Sequence, residues 1–216
     1  MNLLADCRLY GFVDTAYLHG RAADEVARAL CAGGCDLIQL RAKGATLDLV
    51  RQMAAAILAV TDRAGVGLVI NDHPIIAAEA GAPLCHLGQE DFFDAGHRHV
   101  GELTAGGRLQ IGLSTHAPTQ AGRAVEAGAA YVAIGPVFPT GTKPTARPVS
   151  LEYVRWAARE VTIPWFAIGG ITLENVDDVL AAGARRICVV SAILNAPDIV
   201  EACQAFRNRL SSAPLR

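Results

Sequence analysis

The sequence predicts a single-domain α/β chain folded as a (β/α)8 barrel, the TIM-barrel architecture, across residues 1–216, and three observations carry the prediction. An Ala-Gly phrase followed by β-forming residues recurs four times, four further apolar runs of strand length fall between the repeats, and helix-start signals separate the two sets. The repeats are AGGCDLIQL from Ala32, AGAPLCHLG from Ala80, AGAAYVAIG from Ala127 and AGARRICVV from Ala182, spaced 48, 47 and 55 residues apart. Such spacing is twice a strand-plus-helix unit, so the phrases mark alternate strands.

The first strand is RLYGFVD, Arg8 to Asp14, an apolar run closed by a charge. In the first repeat an Ala-rich helix ends, Gly33 takes the left-handed cap, and a second strand runs into Gln39, Leu40 and Arg41. GLVIND, Gly67 to Asp72, is the third strand, and Pro74 opens the helix after it. The second repeat caps that helix at Gly81 and leads into a fourth strand running up to HLGQED. LQIGLST, Leu109 to Thr115, is the fifth strand, with Pro118 at the next helix start. Gly128 caps that helix and AYVAIG is the sixth strand. Ser150 precedes the helix LEYVRWAA, and IPWFAIGG, Ile163 to Gly170, is the seventh strand. Thr172 opens the helix LENVDDVLAAG, Gly183 caps it, the last repeat supplies the eighth strand, and Pro197-Asp198 mark the final helix. Strands this apolar are covered on both faces, as parallel strands wrapped by helices are. Eight strands and eight helices at about 27 residues per unit suit a closed barrel; an open doubly wound sheet is the alternative, and its GxGxxG fingerprint is absent.

A balance of 19 Lys plus Arg against 21 Asp plus Glu, net charge −2, is too even for a protein that grips a nucleic-acid backbone or an anionic membrane. No apolar run approaches the roughly 18 residues of a membrane span. MNLLADCRLY lacks the basic-then-apolar order of an export signal, so a cytoplasmic protein is expected. The six cysteines form no CxxC pair and read as small buried residues. The Ala-rich stretch Ala54 to Val60 is a surface on which a homo-oligomer could pack.

In a barrel the chemistry belongs at the C-terminal ends of the strands, and the polar residues of this sequence gather there. Arg41 and Lys43 lie two apart at the end of strand two, so they leave on one face; two cations aimed together repel unless a multiply charged anion sits between them, the alternative being a solvated strand end. Lys143, in the loop after strand six, adds a third cation. Asp72 and Asp91 close neighbouring strands three and four; singly each reads as a helix N-cap, but facing three cations they suit Mg²⁺, which takes oxygen ligands from carboxylates, phosphate and water. Asn71 supports either the metal or the substrate, or merely tolerates a turn. Gly169-Gly170 and Ser191 fall where loops seven and eight of such barrels bind phosphate. The loop from Pro139 to Pro144, with Thr140, Gly141, Thr142 and Lys143, resembles a phosphate loop in composition without the GxxxxGK spacing. One set suits a metal-bound diphosphate and the other a monophosphate, which together suggest joining a diphosphate ester to a phosphorylated acceptor.

QLRAK, VIND, HLGQED, GLSTH, GPVFPTGTK, AIGGI and VVSAI, in that order and on those strands, resemble the thiamine phosphate synthase family from Leu9-Tyr10 to about Ile193. The resemblance implies coupling of 4-amino-2-methyl-5-hydroxymethylpyrimidine diphosphate to a thiazole phosphate or its carboxylated precursor, giving thiamine phosphate and pyrophosphate by a Mg²⁺-dependent dissociative substitution. It implies that Gln39, Leu40, Arg41, Ala42, Lys43 and Asn71 hold the pyrimidine diphosphate together with Ser114 and Lys143. Of these, Arg41, Lys43, Ser114 and Lys143 are the catalytic set. Asp72 and Asp91 are the implied Mg²⁺ ligands, and Thr140, Gly141, Thr142, Gly170, Val190 and Ser191 hold the thiazole phosphate. The implied partners are small-molecule substrates only. Ala42 departs from the family, which usually has an acidic residue there, and the segment Phe92 to Gly107 is longer than usual. His97 and His99 within it are expected to face solvent, while His86 either packs near the thiazole or is a satisfied core histidine. A thiazole tautomerase with a similar sequence is the alternative function; it shares the monophosphate set and needs no metal.

Overall fold

The computed structural model describes residues 4–104, 106–141 and 147–211. Eight parallel strands close a barrel in sequence order: β1 Leu9–Asp14, β2 Leu37–Arg41, β3 Gly67–Asn71, β4 Leu84–Gly88, β5 Gln110–Thr115, β6 Tyr131–Ile134, β7 Trp165–Ile168 and β8 Ile187–Cys188, the last pairing with β1. Helices α1 Ala23–Ala32, α2 Leu47–Ala64, α3 Pro74–Ala80, α4 Gln89–Asp94, α5 Pro118–Glu126, α6 Ser150–Glu160, α7 Val176–Ala181, α8 Ser191–Leu194 and α9 Ile199–Ser211 surround it. The eighth unit therefore carries two helices where one was expected. No described helix is long and apolar enough to cross a membrane.

The strands are buried on both faces because one set of alternate side chains fills the barrel and the other meets the helices. The helices present stripes at helical spacing, such as Val50, Met53, Ala54, Ile57 and Thr61 of α2. Ala54 is thus spent on the protein's own barrel, and only part of the Ala54 to Val60 stretch faces outward. Inside, Tyr10, Tyr131 and Phe166 meet edge to face at centroid distances of 5.3 to 6.1 Å and fill the barrel interior, with Tyr10 also lining the cavity at the C-terminal strand ends. Gly112 makes room for that packing: a Cβ there would lie 2.1 Å from the Tyr131 ring.

Several boundaries differ from the sequence expectation. In the first repeat Gly33 stays right-handed (φ −76) and Gly34 takes the left-handed turn (φ 89). Gly33 is small because α9 packs on it, and a Cβ would approach the Cys203 Cβ to 2.5 Å. α7 begins at Val176 rather than at Thr172, because Asn175 accepts from the Thr172 N–H and donates to the Gly170 carbonyl, holding residues 172–175 in a turn. His97 and His99 brace the long segment after α4; His99 is exposed, as expected, and His97 is half-buried. His97 Nδ1 lies 3.1 Å from Glu102, and His99 Nδ1 accepts from the Gly101 N–H. All six cysteines are free thiols, five of them buried, with the Cys35 and Cys203 sulfurs 3.7 Å apart.

Candidate active site

The C-terminal ends of the strands enclose a cavity of about 1030 Å³, a volume that includes its solvent-open mouth. Strict alternation supplies its wall: Tyr10 and Phe12 from β1, Gln39 and Arg41 from β2, Asn71 from β3, His86 and Gly88 from β4, and Ser114 from β5. Lys43, Asp72, Asp91, Thr140, Gly170, Val190 and Ser191 complete it. One cavity therefore gathers most of the predicted site residues, from seven strand ends.

Others lie elsewhere. Leu40 is buried between its inward-facing neighbours Gln39 and Arg41, so the pleat turns it out toward the helices. Ala42 and Gly141 are also absent from the cavity wall; Ala42 packs on the edge of the core. Thr142 and Lys143 lie outside the described residues.

The floor is a connected hydrogen-bond chain. Gln39 Nε2 donates to Asn71 Oδ1 at 3.0 Å, and the Tyr10 hydroxyl donates to Gln39 Oε1 at 2.6 Å. Tyr10 has one proton, so the Tyr131 hydroxyl, 3.0 Å away, must donate to it. His86 Nδ1, 3.0 Å from Tyr131 Oη, is then the donor to that hydroxyl. His86 is thus both a wall residue and a hydrogen-bonded one. Burial pushes the Tyr10 and Tyr131 hydroxyls well above the usual tyrosine range, so both stay protonated. Burial likewise raises the thiol of Cys188 in the wall, leaving it un-ionised and a poor nucleophile.

At the rim each described cation has its own carboxylate, so the expected mutual repulsion of Arg41 and Lys43 does not arise. Arg41 Nη1 donates to Asp14 Oδ2 at 2.7 Å, and Lys43 Nζ lies 2.6 Å from Asp72 Oδ2. Asp14 escaped the sequence reading; its signal was a charge ending an apolar strand. Asp72 caps no helix: His73 occupies the N-cap position of α3, and Asp72 holds a left-handed φ of 62 while its N–H donates to the His86 carbonyl. Asp91 sits in the first turn of α4, with its carboxylate folded over Gly88, where a Cβ would lie 2.6 Å from Oδ2. Among the described residues no three His, Cys, Asp or Glu side chains converge as a metal cage. Two carboxylates on one cavity, all-oxygen in character, nevertheless fit Mg²⁺, which keeps waters and takes substrate phosphate oxygens for its remaining positions.

On the opposite wall, Gly169 (φ 101) and Gly170 (φ 64) lie under the segment Pro136 to Pro139, where Cβ atoms would meet Pro136 Cβ at 2.4 Å and the Pro139 carbonyl at 2.5 Å. The glycines thus let the loops after β6 and β7 close on each other, bringing Thr140, Gly170, Val190 and Ser191 to one side.

This arrangement has relatives. The chain matches the family model described as thiamine monophosphate synthase over residues 9–193. It is 48% identical over 188 residues to the thiamine-phosphate synthase of Thermus thermophilus, covering 87% of this chain and 88% of that one. With the thiamine-phosphate synthase of Acidothermus cellulolyticus it shares 41% over 212 residues, 97% and 98% of the two chains. Its fold superposes on the thiamine phosphate pyrophosphorylase from Pyrococcus furiosus with a TM-score of 0.86 at 29% identity, covering 97% and 98%. The barrel, the order of its motifs along the chain and a match running from β1 into α8 agree, and the chain belongs to the thiamine monophosphate synthase family.

Proposed function

We propose that this chain couples 4-amino-2-methyl-5-hydroxymethylpyrimidine diphosphate to a thiazole phosphate, or to its carboxylated precursor with loss of CO2, forming thiamine phosphate and releasing pyrophosphate. The observation that carries the reading is a single cavity bearing cations and carboxylates on one side and glycines with hydroxyls on the other. The names of the family and of its relatives support it.

In this reading the bond from the pyrimidine methylene carbon to the diphosphate oxygen breaks, its electron pair leaves with pyrophosphate, and the thiazole nitrogen lone pair forms the new carbon–nitrogen bond. Asp72 and Asp91 would hold Mg²⁺, which when bound supplies Lewis-acid neutralisation of the leaving diphosphate. Arg41, Lys43 and Lys143 add positive charge where negative charge grows, stabilisation felt most in the transition state. The Ser114 hydroxyl, which makes no hydrogen bond among the described residues, is available to the substrate. Gln39 and Asn71, held by the floor chain, orient the pyrimidine, while Thr140, Thr142, Gly170, Val190 and Ser191 take the thiazole phosphate. No protein nucleophile is required, in keeping with the protonated thiol and tyrosines around the cavity. Arg41, Lys43 and Lys143 against Asp14, Asp72 and Asp91 leave these six groups at net zero, so the residues alone hold no surplus positive charge for the diphosphate and its divalent ion supplies it.

The alternative, aromatisation of the thiazole phosphate alone, leaves Arg41, Lys43, Asp72 and Asp91 without a task, and the relatives quoted above carry the synthase name. The test is a coupling assay with both substrates, in Mg²⁺ or EDTA, reading thiamine phosphate by oxidation to thiochrome. Product only with the metal is expected; no product from either thiazole form overturns the reading.

A further inference from the structure

Asp14 is the last residue of β1 and stands in register opposite Arg41, the last residue of β2. It is 1% exposed and does not line the cavity, so it has no direct access to a ligand. Its carboxylate is nevertheless fully engaged: Oδ1 accepts from the Ala16 N–H at 3.0 Å and Oδ2 accepts from Arg41 Nη1 at 2.7 Å. Arg41 does line the cavity, its side chain is 14% exposed, and Asp14 is its partner among the described residues. An arginine side chain is long and rotamer-rich, and its planar fork recognises phosphate only when aimed. A buried carboxylate that is itself clamped by a backbone N–H gives such an arm one resting place before any substrate arrives.

We infer that Asp14 is a positioning residue for the coupling reaction: buried behind the cavity, it sets the guanidinium of Arg41 in the orientation that receives the diphosphate. The inference rests on the function proposed above. It separates Asp14 from a plain turn-capping role, because its effect must pass through Arg41.

The test is a double-mutant cycle of Asp14→Asn with Arg41→Ala, combined with separate kinetics for the two substrates and calorimetric binding of inorganic pyrophosphate with Mn²⁺. Asp14→Asn keeps the shape and removes the charge. It is expected to lower kcat/KM for the pyrimidine diphosphate about tenfold and weaken pyrophosphate binding, while the KM for thiazole phosphate stays within about twofold. In the Arg41→Ala background the same substitution is expected to change turnover by less than about twofold. An equal loss in both backgrounds, or unchanged kinetics and pyrophosphate binding, overturns the inference. Asp14→Glu, which keeps the charge but displaces Arg41, is the second variant and is expected to show the same substrate split; should neither fold, the pair is a structural strut and the inference falls. Wild-type protein that makes no thiamine phosphate would count against the proposed function, whereas the pyrophosphate comparison would still decide the role of Asp14.

Discussion

Lys43 and Asp72 illustrate how a single contact occupies a carboxylate proposed to hold the metal. With the ammonium 2.6 Å from its carboxylate, Asp72 is not a bare donor, and a divalent ion must displace Lys43 or arrive with an anion that draws it away. Lys43→Met is expected to tighten Mn²⁺ binding in the absence of diphosphate about two- to fivefold, the scale of a solvent-screened pair, as read by the paramagnetic signal of free Mn²⁺. Unchanged affinity would mean that the pair does not compete with the metal. The same residue carries a left-handed φ of 62, which Asp and Asn tolerate and Ala does not. Asp72→Asn should therefore melt within about 0.5 kcal/mol of the parent while losing about 10²-fold in metal-dependent turnover. Asp72→Ala should add about 1–2 kcal/mol of destabilisation. An Asp72→Asn protein with near-normal rates at saturating metal would remove Asp72 from the metal site.

At the scale of elements, two glycines at strand ends fail in different ways when given a methyl group. At Gly88, before α4, the backbone is unstrained (φ −62) and the obstacle is the Asp91 carboxylate at 2.6 Å, the movable end of a side chain. Gly88→Ala should leave thermal stability nearly unchanged and weaken metal binding about tenfold by moving Asp91. At Gly169 the obstacles are Pro136 Cβ at 2.4 Å and Pro136 Cα at 2.5 Å, and φ is 101. Gly169→Ala should cost about 2–4 kcal/mol and lower Tm by about 5–10 °C, since the loops after β6 and β7 can no longer close. Calorimetry and Mn²⁺ titration on the two variants distinguish the outcomes, and equal losses of stability would contradict the assignment of Gly88 to Asp91.

For the whole molecule, the barrel's enclosure has a consequence for pH. Burial raises Cys7 and Cys85 to about 12, with Asp36 and Asp72 respectively adding to the effect, raises Tyr153 to about 12, and holds Tyr10, Tyr131 and Cys188 well above their usual ranges. In the unfolded chain thiols ionise near pH 8.5 and tyrosines near pH 10. Below about pH 8 both states hold these protons and stability is indifferent to them. Above it the unfolded chain binds fewer protons than the native one, so stability falls, at about 1.4 kcal/mol per pH unit for each group once its unfolded form is ionised. Urea midpoints under reducing conditions should be flat from these groups up to about pH 8 and then decline, less steeply in Cys85→Ala. A flat midpoint to pH 10.5 would show that the buried thiols and hydroxyls are not linked to folding.

Periodicity made the barrel legible: the four Ala-Gly phrases, the apolar runs between them and the prolines at helix starts are local signals, and the eight strands they mark are the strands of the structure. The same alternation placed Gln39, Arg41, Asn71 and Ser114 on one rim, because a strand shows every second side chain to the same side. What a linear reading could not contain was pairing. Asp14 and Arg41 are 27 positions apart, and Tyr10 and Tyr131 are 121 apart; only closure of the sheet and its register bring them to 2.7 and 3.0 Å. For that reason the rim reads in sequence as unpaired cations and in three dimensions as two ion pairs above a hydrogen-bonded floor. The sequence by itself determined most of the residues that reach the mouth of the barrel, with Leu40, Ala42 and Gly141 expected there but absent from the cavity wall. The tertiary structure decided which of them hold one another, since charge neutralisation and proton direction depend on distances across strands that the order of residues does not specify.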